Sequence, residues 1–382
     1  MSLRKTLFWL HLAAGLTAGL VIALMAFTGL CMSFQPQILA WADRDAARVA
    51  PPAAPTRLPV ADLLSHIRED WPDTKPSALT VYADPARAVM IALGRDGLVY
   101  ANPYTGDSVE PPSKKLRAFF EFTLRLHRWL GGEEQATRKI TGHITGAACA
   151  VFLGLCVTGI CLWWPSQWTA RVLRPSLWFV RSAKGKARDW NWHNVFGFWS
   201  LPLLIVITIT GLLMAYKPLA DLLYKAPPAP IITRPEGARP LAPAALIALA
   251  QTTVPAWEQI TLRLGNPRRP APAVSPTPAS VQPKAPEGPQ PATLLIRETG
   301  SLSPIPSQLV VNPFTGEILR NESLSDYTFA RALRMLAKPV HTGEAGGLFG
   351  ATLGVIATLG ALVLIYTGFA LSWRRFFQKG SR

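Results

Sequence analysis

The sequence predicts an integral membrane protein, mainly α-helical: a four-transmembrane-helix bundle built from two parallel repeats, each carrying a small α+β module outside the membrane. Three observations predict it. Hydrophobic residues make up 49% of 382 and gather in four runs, about 7 to 35, 140 to 164, 195 to 216 and 347 to 373. Each run is near the ~20 residues that cross a ~30 Å hydrocarbon core. The runs recur as copies of one another, and lysine and arginine collect on one side of them.

The first span, 1–36, contains Trp9 to Met32, and a displacement of 182 returns it as the third span, 193–218. His11 falls on His193, Gly15 on Gly197, Thr28-Gly29 on Thr210-Gly211, Met32 on Met214 and Pro36 on Pro218. A secretory signal is the competing reading of the N-terminus, but the run is long for one and no convincing cleavage site closes it. Its likeness to an internal span argues that it is retained.

Residues 37–138 form the first outside module. A Pro/Ala-rich linker leads to an amphipathic helix over Val60 to Trp71, with Leu63, Leu64 and Ile67 on one side. Strand-like runs follow at Leu79 to Tyr82, Ala88 to Leu93 and Leu98 to Ala101, punctuated by Arg95-Asp96-Gly97 and Asn102-Pro103-Tyr104-Thr105-Gly106. The second span is 139–164, and a basic cytoplasmic loop, 165–192, leads to the third.

Residues 219–345 repeat the plan with a helix over Pro243 to Thr252. Strands are expected near Gln259 to Leu264, Thr293 to Arg297 and Gln308 to Val311, before Asn312-Pro313-Phe314-Thr315-Gly316. A Pro-rich insertion, 265–292, carries nine prolines and is expected to be an extended excursion outside any core. The fourth span, 346–373, matches the second at an offset of 209: Thr158-Gly159 falls on Thr367-Gly368, Leu162 on Leu371 and Trp164 on Trp373. A short tail, 374–382, ends the chain. Because each copy begins and ends on the same side, the repeats are parallel.

The loop holds Arg171, Arg174, Arg181, Lys184, Lys186 and Arg188, and the tail Arg374, Arg375, Lys379 and Arg382. These place both termini and the loop in the cytoplasm and the modules outside. Most of the net charge of +16 is therefore a topology signal, and nucleic-acid binding is not expected. Trp163, Trp164, Trp168, Trp178, Trp190 and Trp192 on the same side read as an interfacial belt contacting lipid. Cys31, Cys149, Cys156 and Cys161 lie in the spans with no C-x-x-C, so they read as small buried residues and argue against covalent c-type haem.

Five of six histidines sit at membrane edges; the sixth, His66, reads as a surface residue of the first module's helix. His11 and His193 lie at the cytoplasmic ends of spans one and three. His127 precedes span two, His341 precedes span four, and His143 lies about one turn inside span two. Polar rings at membrane depth need pairing, hydration or a metal. Paired histidines at both edges suit bis-imidazole ligation of two non-covalent b-type haems, six-coordinate and fitted to electron transfer. His11 and His193 make the inner pair; His341 pairs with either His127 or His143. A zinc site lacks the ligand spacing, proton-coupled transport lacks carboxylates in the apolar runs, and no Gly-rich nucleotide fingerprint follows a strand.

The paired spans, the two Asn-Pro-aromatic-Thr-Gly turns, Leu126-His127-Arg128, His341-Thr342-Gly343-Glu344 and the Thr-Gly-x-x-Leu-x-Trp exits resemble the PepSY-associated transmembrane proteins. Within that family the resemblance is to bacterial inner-membrane ferric-siderophore reductases for ferrioxamine-type chelates. It implies PepSY-like periplasmic modules, two haems in the membrane unit, and reduction of Fe(III) to Fe(II) in a periplasmic siderophore by electrons from a quinol or a cytoplasmic reductase. By motif, His11 and His193 match the inner haem ligands, and His127 and His341 the outer positions. The alternatives are a membrane-anchored module that binds peptide or regulates a protease, and a haem b relay serving another partner.

Overall fold

The computed structural model describes residues 2–54, 56–94, 97–228, 230, 232–264 and 289–378. They form two compact units. The first comprises Met1–Gln35, Phe120–Leu222 and Leu336–Arg382. The second comprises Pro36–Phe119 and Leu223–Met335.

In chain order the helices are α1 (Leu3–Met32), α2 (Gln35–Ala42), α3 (Val60–Asp70), α4 (Lys114–Trp129), α5 (Gln135–Trp163), α6 (Ala170–Leu177), α7 (Gly185–Ala215), α8 (Lys217–Leu223), α9 (Pro243–Thr253), α10 (Phe329–His341) and α11 (Gly347–Phe376). The strands are β1 (Ala78–Tyr82), β2 (Val89–Ala92), β3 (Leu98–Ala101), β4 (Ser108–Val109), β5 (Trp257–Arg263), β6 (Ala292–Glu298), β7 (Ser307–Val311) and β8 (Ile318–Glu322).

Four helices of the first unit are long and apolar enough to cross a membrane, those built on α1, α5, α7 and α11. They pack in a ring, α1 against α5 and α11, and α7 against the same two. Small residues allow the close approach: a Cβ on Gly19 of α1 would meet the Phe369 ring of α11 at 2.8 Å, and one on Gly360 of α11 would meet Ser200 of α7 at 2.9 Å. At one end of α7 the fully buried Asp189 pairs with Arg188 at 2.9 Å and with Arg374 of α11 at 3.0 Å. At the same end, Arg4 of α1 donates to the Leu162 carbonyl of α5 at 2.8 Å.

The second unit is one antiparallel sheet of eight strands in the order β4-β3-β2-β1-β5-β6-β7-β8. The two modules, read from the sequence as separate meanders, are joined where β1 pairs with β5. Thr80 stands opposite Thr261 there, with the hydroxyls 2.9 Å apart. Pairing these edges removes two exposed rows of backbone donors and acceptors. Period-two alternation turns Leu79, Ile91, Ile260, Leu262, Ile296 and Leu309 into a core at no more than 1% exposure, shared with Ile67 of α3 and Ala250 of α9. The two Asn-Pro-aromatic-Thr-Gly turns have the same hydrogen bonds. Asn102 and Asn312 accept from the N–H two residues on at 2.9 and 3.0 Å, and Gly106 and Gly316 take φ of 86° and 76°, which favours glycine.

Several boundaries differ from the sequence reading. Span two begins at Gln135, and α7 begins at Gly185, inside the segment read as loop. Strand β8 and helices α4 and α10 were not anticipated, because basic residues interrupt their apolar pattern, and β4 is only two residues long. Of the cysteines expected to be buried, Cys149 and Cys156 are, whereas Cys31 is half-buried and Cys161 exposed. The turn at Arg95-Asp96 and the insertion at 265–288 lie outside the described residues.

Candidate functional site

The first unit holds two pairs of histidines. His11, in the third turn of α1, faces His193 of α7, with ring centroids 6.4 Å apart and planes at 84°. His127, near the C-terminus of α4, faces His341, the last residue of α10, with centroids 6.3 Å apart and planes at 65°. Thr28, which contacts His127, lies 17 residues beyond His11 on the same helix. At 1.5 Å per residue, the pairs are separated by about 25 Å along the bundle.

Local sequence explains how α4 and α10 deliver their rings. On α4, Phe120, Thr123 and His127 share one face at three- and four-residue spacing, and Phe120 and Thr123 are buried. The chain then reverses through Leu130 (φ 49°) and Gly131 (φ 86°) into α5. After His341 the turn into α11 depends on Gly343. Its φ is 79°, and a Cβ there would lie 2.8 Å from the Ala351 backbone. A side chain at Gly343 is excluded on both counts.

Each of the four rings is held through Nδ1 by a threonine that precedes a glycine. The distances are 2.8 Å from His11 to Thr158, 2.9 Å from His193 to Thr367, 3.1 Å from His127 to Thr28 and 3.3 Å from His341 to Thr210. His127 and His341 also reach the carbonyls of Met25 and Ile207, each at 2.9 Å. A carbonyl only accepts, so Nδ1 carries the proton in both rings. The Thr158 hydroxyl donates its one proton to the Gly154 carbonyl at 2.8 Å, and Thr367 donates to Val363 at 2.7 Å. Their oxygens are therefore left to accept Nδ1–H from His11 and His193. Nε2 is the nitrogen with a free lone pair in all four rings.

These arrangements fit a metal held between two imidazoles. Two rings bound to one ion at about 2 Å per metal–nitrogen bond have centroids about 6 Å apart, as both pairs do. Nδ1–H is occupied by a neighbouring oxygen, as ligand histidines usually require. A planar macrocycle also needs clearance beside the ligand, and a Cβ on Gly15, four residues after His11, would meet no protein atom within 4 Å. Gly19, one turn further along, instead serves helix packing against Phe369. Outside the spans, burial holds His127 down at about 4, with neighbouring His341 the next cause, and burial likewise lowers His341. Both stay neutral at pH 7, the form that ligates. Among the described residues no group of three or more His, Cys, Asp or Glu side chains converges as a bare-ion site.

His143, the other candidate partner for His341, is exposed on α5 and stacks on Tyr216, with centroids 6.4 Å apart and planes at 26°. The ring facing His341 is that of His127. Near this pair Arg128 lies over the Trp129 ring at 4.6 Å, and Arg138 lies over the same ring at 4.9 Å. Burial lowers the Arg128 guanidinium to about 10, with Arg138 the second cause.

The family model described as the PepSY-associated TM region matches residues 8–375, nearly the whole chain. The chain belongs to that family. No curated protein matches it. PepSY-associated TM proteins are thus the frame in which the four apolar helices and the histidine pairs stand, and family membership by itself names no substrate.

The sequence reading did not foresee the role of the threonines. Thr28, Thr158, Thr210 and Thr367 were visible as repeat markers, each before a glycine. Their partners are 99 to 174 residues away in sequence, so no local pattern links a threonine to its histidine.

Proposed function

We propose that this chain is a di-haem oxidoreductase of the bacterial inner membrane, passing electrons outward to a ferric siderophore and reducing Fe(III) to Fe(II) for iron release. The observation that carries the reading is the pair of facing imidazoles at each end of one apolar bundle. In this reading both termini and the basic loop are cytoplasmic, the two halves are parallel repeats, and the eight-stranded sheet is a fused pair of PepSY-like modules in the periplasm.

Haem b, bound without covalent links, supplies reversible one-electron chemistry. His11 and His193 hold the inner group, and His127 and His341 the outer one. The bundle keeps water and charge from the space between them: Leu204, Ala357, Ala361 and Cys156 form its buried centre. A quinol or a cytoplasmic reductase supplies one electron per iron. The substrate Fe(III) sits among hard oxygen donors, and gaining that electron lowers its charge and weakens their hold. The protein needs no general base for this step.

A reduced-minus-oxidised visible spectrum with pyridine haemochrome quantification of the detergent-purified chain tests the reading. About two b haems per chain are expected from two bis-histidine sites. One is lost in His11→Ala or His193→Ala, the other in His127→Ala or His341→Ala, and both remain in His143→Ala. A well-folded chain that takes up no haem from excess would overturn the reading and favour an anchored peptide-binding module. A haem-loaded, pre-reduced chain that does not reduce a ferric hydroxamate chelate would favour a relay to another partner.

A further inference from the structure

Each of the four spans carries a Thr-Gly pair that meets one histidine of a different helix; α5 has two further pairs, Thr141-Gly142 and Thr145-Gly146, whose hydroxyls bond backbone carbonyls instead. Thr28-Gly29 of α1 meets His127 and Thr210-Gly211 of α7 meets His341; Thr158-Gly159 of α5 meets His11 and Thr367-Gly368 of α11 meets His193. The glycines lie beside the same rings. A Cβ would come 3.6 Å from Cε1 of His127 at Gly29 and 3.1 Å from that of His341 at Gly211. The corresponding distances are 3.6 Å from His11 at Gly159 and 3.8 Å from His193 at Gly368. Two turns of a helix would bury such a dipeptide for packing alone, but packing does not require that the hydroxyl accept a proton from the same ring four times.

We propose that the four threonines are positioning residues for the haem-ligating histidines, each accepting Nδ1–H so that Nε2 is the ligating atom, with a side chain after the threonine crowding the ring only at Gly211. The proposal rests on the haem reading and assigns a graded effect that haem binding alone does not. His127 and His341 have a carbonyl acceptor 2.9 Å away, nearer than their threonines. His193 has the Leu364 carbonyl besides Thr367. For His11, Thr158 is the partner that the hydrogen bonds show. Removing the Thr158 hydroxyl therefore matters most.

Nδ1–H donation makes the imidazole more basic and favours the ferric state. Thr158→Val keeps the shape and deletes the acceptor, so the inner haem should be bound about 10-fold less tightly, at the low end of second-shell losses. If that loss falls on the ferric form alone, the potential of one of the two haems rises by about 59 mV. The experiment is an optical redox titration and low-spin EPR of the full chain in detergent, for the wild type, Thr158→Val, Thr158→Ser, Thr28→Val, Thr210→Val and Thr367→Val. Thr158→Val should raise one potential and shift its g-values, Thr158→Ser should restore both, and the other three should move less. A haem-replete Thr158→Val with unchanged potential and g-values overturns the proposal, as does a serine variant that behaves like valine. If Thr158→Val does not fold, a wild-type potential in Thr158→Ser together with unmoved potentials in all three other valine variants also overturns it. A wild type that binds no haem overturns the parent reading as well, and is told apart because the other failures are seen only in haem-loaded protein.

Discussion

Gly29 and Gly211 occupy matching places after Thr28 and Thr210, yet alanine should act oppositely at the two. At Gly29 the new methyl carbon would lie 3.6 Å from Cε1 of His127, an ordinary contact, with Nδ1 at 3.9 Å. The substitution then contributes up to about 1 kcal/mol through lower backbone freedom in the unfolded chain and better helix propensity. At Gly211 the same carbon would be 3.1 Å from Cε1 of His341 and 3.3 Å from Sγ of Cys149. Carbon atoms prefer about 3.5–4.0 Å, so the ring must retreat by several tenths of an ångström, although Ile207 and Thr210 hold it. Overpacking of this kind costs about 1–3 kcal/mol, which cancels or exceeds the helix gain. Thermal midpoints of the purified chain in one detergent should therefore rise or stay for Gly29→Ala and fall for Gly211→Ala. On the haem reading, the spectrum should show loss of the haem assigned to His127 and His341 only in Gly211→Ala. Equal shifts of the same sign would refute the reasoning, because they would mean that the spacing beside the ring does not govern the site.

Two predictions concern the sheet unit. Asp43 is buried at 1% exposure and accepts from the Ser113 N–H at 3.0 Å, the Ser113 hydroxyl at 2.9 Å and Arg117 at 2.5 Å. Asp43→Ala leaves Arg117 without that partner and should cost about 3–5 kcal/mol, read as a lower thermal midpoint; a loss no larger than that of the exposed Asp45→Ala would refute it. Arg331 grips Glu322 with two hydrogen bonds of 2.9 and 2.6 Å, and these hold the Glu322 carboxyl below its ordinary value. The stability from this pair is fully present above the unfolded glutamate value of about 4.3 and is lost as pH falls through the lowered folded value. Arg331→Ala should cost about 2 kcal/mol at pH 7, and in denaturant titrations the gap from wild type should narrow as Glu322 protonates, leaving what Arg331 contributes over the Tyr327 ring, 3.7 Å away. A gap independent of pH would refute the link.

Much of the fold was legible because its determinants are local. The four spans are composition, and the helices at Val60 and Pro243 with most of the strands are periodicity bounded by Asn-Pro and Gly turns. What escaped was of two kinds. Helices α4 and α10 present apolar faces broken by Lys, Arg and His, so a reading tuned to continuous runs passed over Lys114–Trp129 and Phe329–His341. Both carry a histidine of the His127–His341 pair, and a search at three- and four-residue spacing from Phe120 to His127 would have found the first. The joining of the modules at Thr80 and Thr261 is a pairing of edges 181 residues apart, for which strand propensity holds no signal.

The candidate site divides along the same line. Which histidines lie at which edge followed from position in the sequence, whereas the partner of His341 depended on where α4 points after its last turn. His127 and His143 are 16 residues apart and both are near the same end of the bundle. The sharp reversal at Leu130 and Gly131 decides between them, because it sets the last turn of α4 against α5, where Thr145 donates to the Arg128 carbonyl at 2.8 Å, and presents His127 to His341, while His143 stays on α5 against Tyr216. The histidine pairs are thus made by the ends of helices from both halves meeting, and each half alone supplies one ring of each pair. Any site formed by them requires both halves folded together, because neither half brings two of these rings face to face by itself.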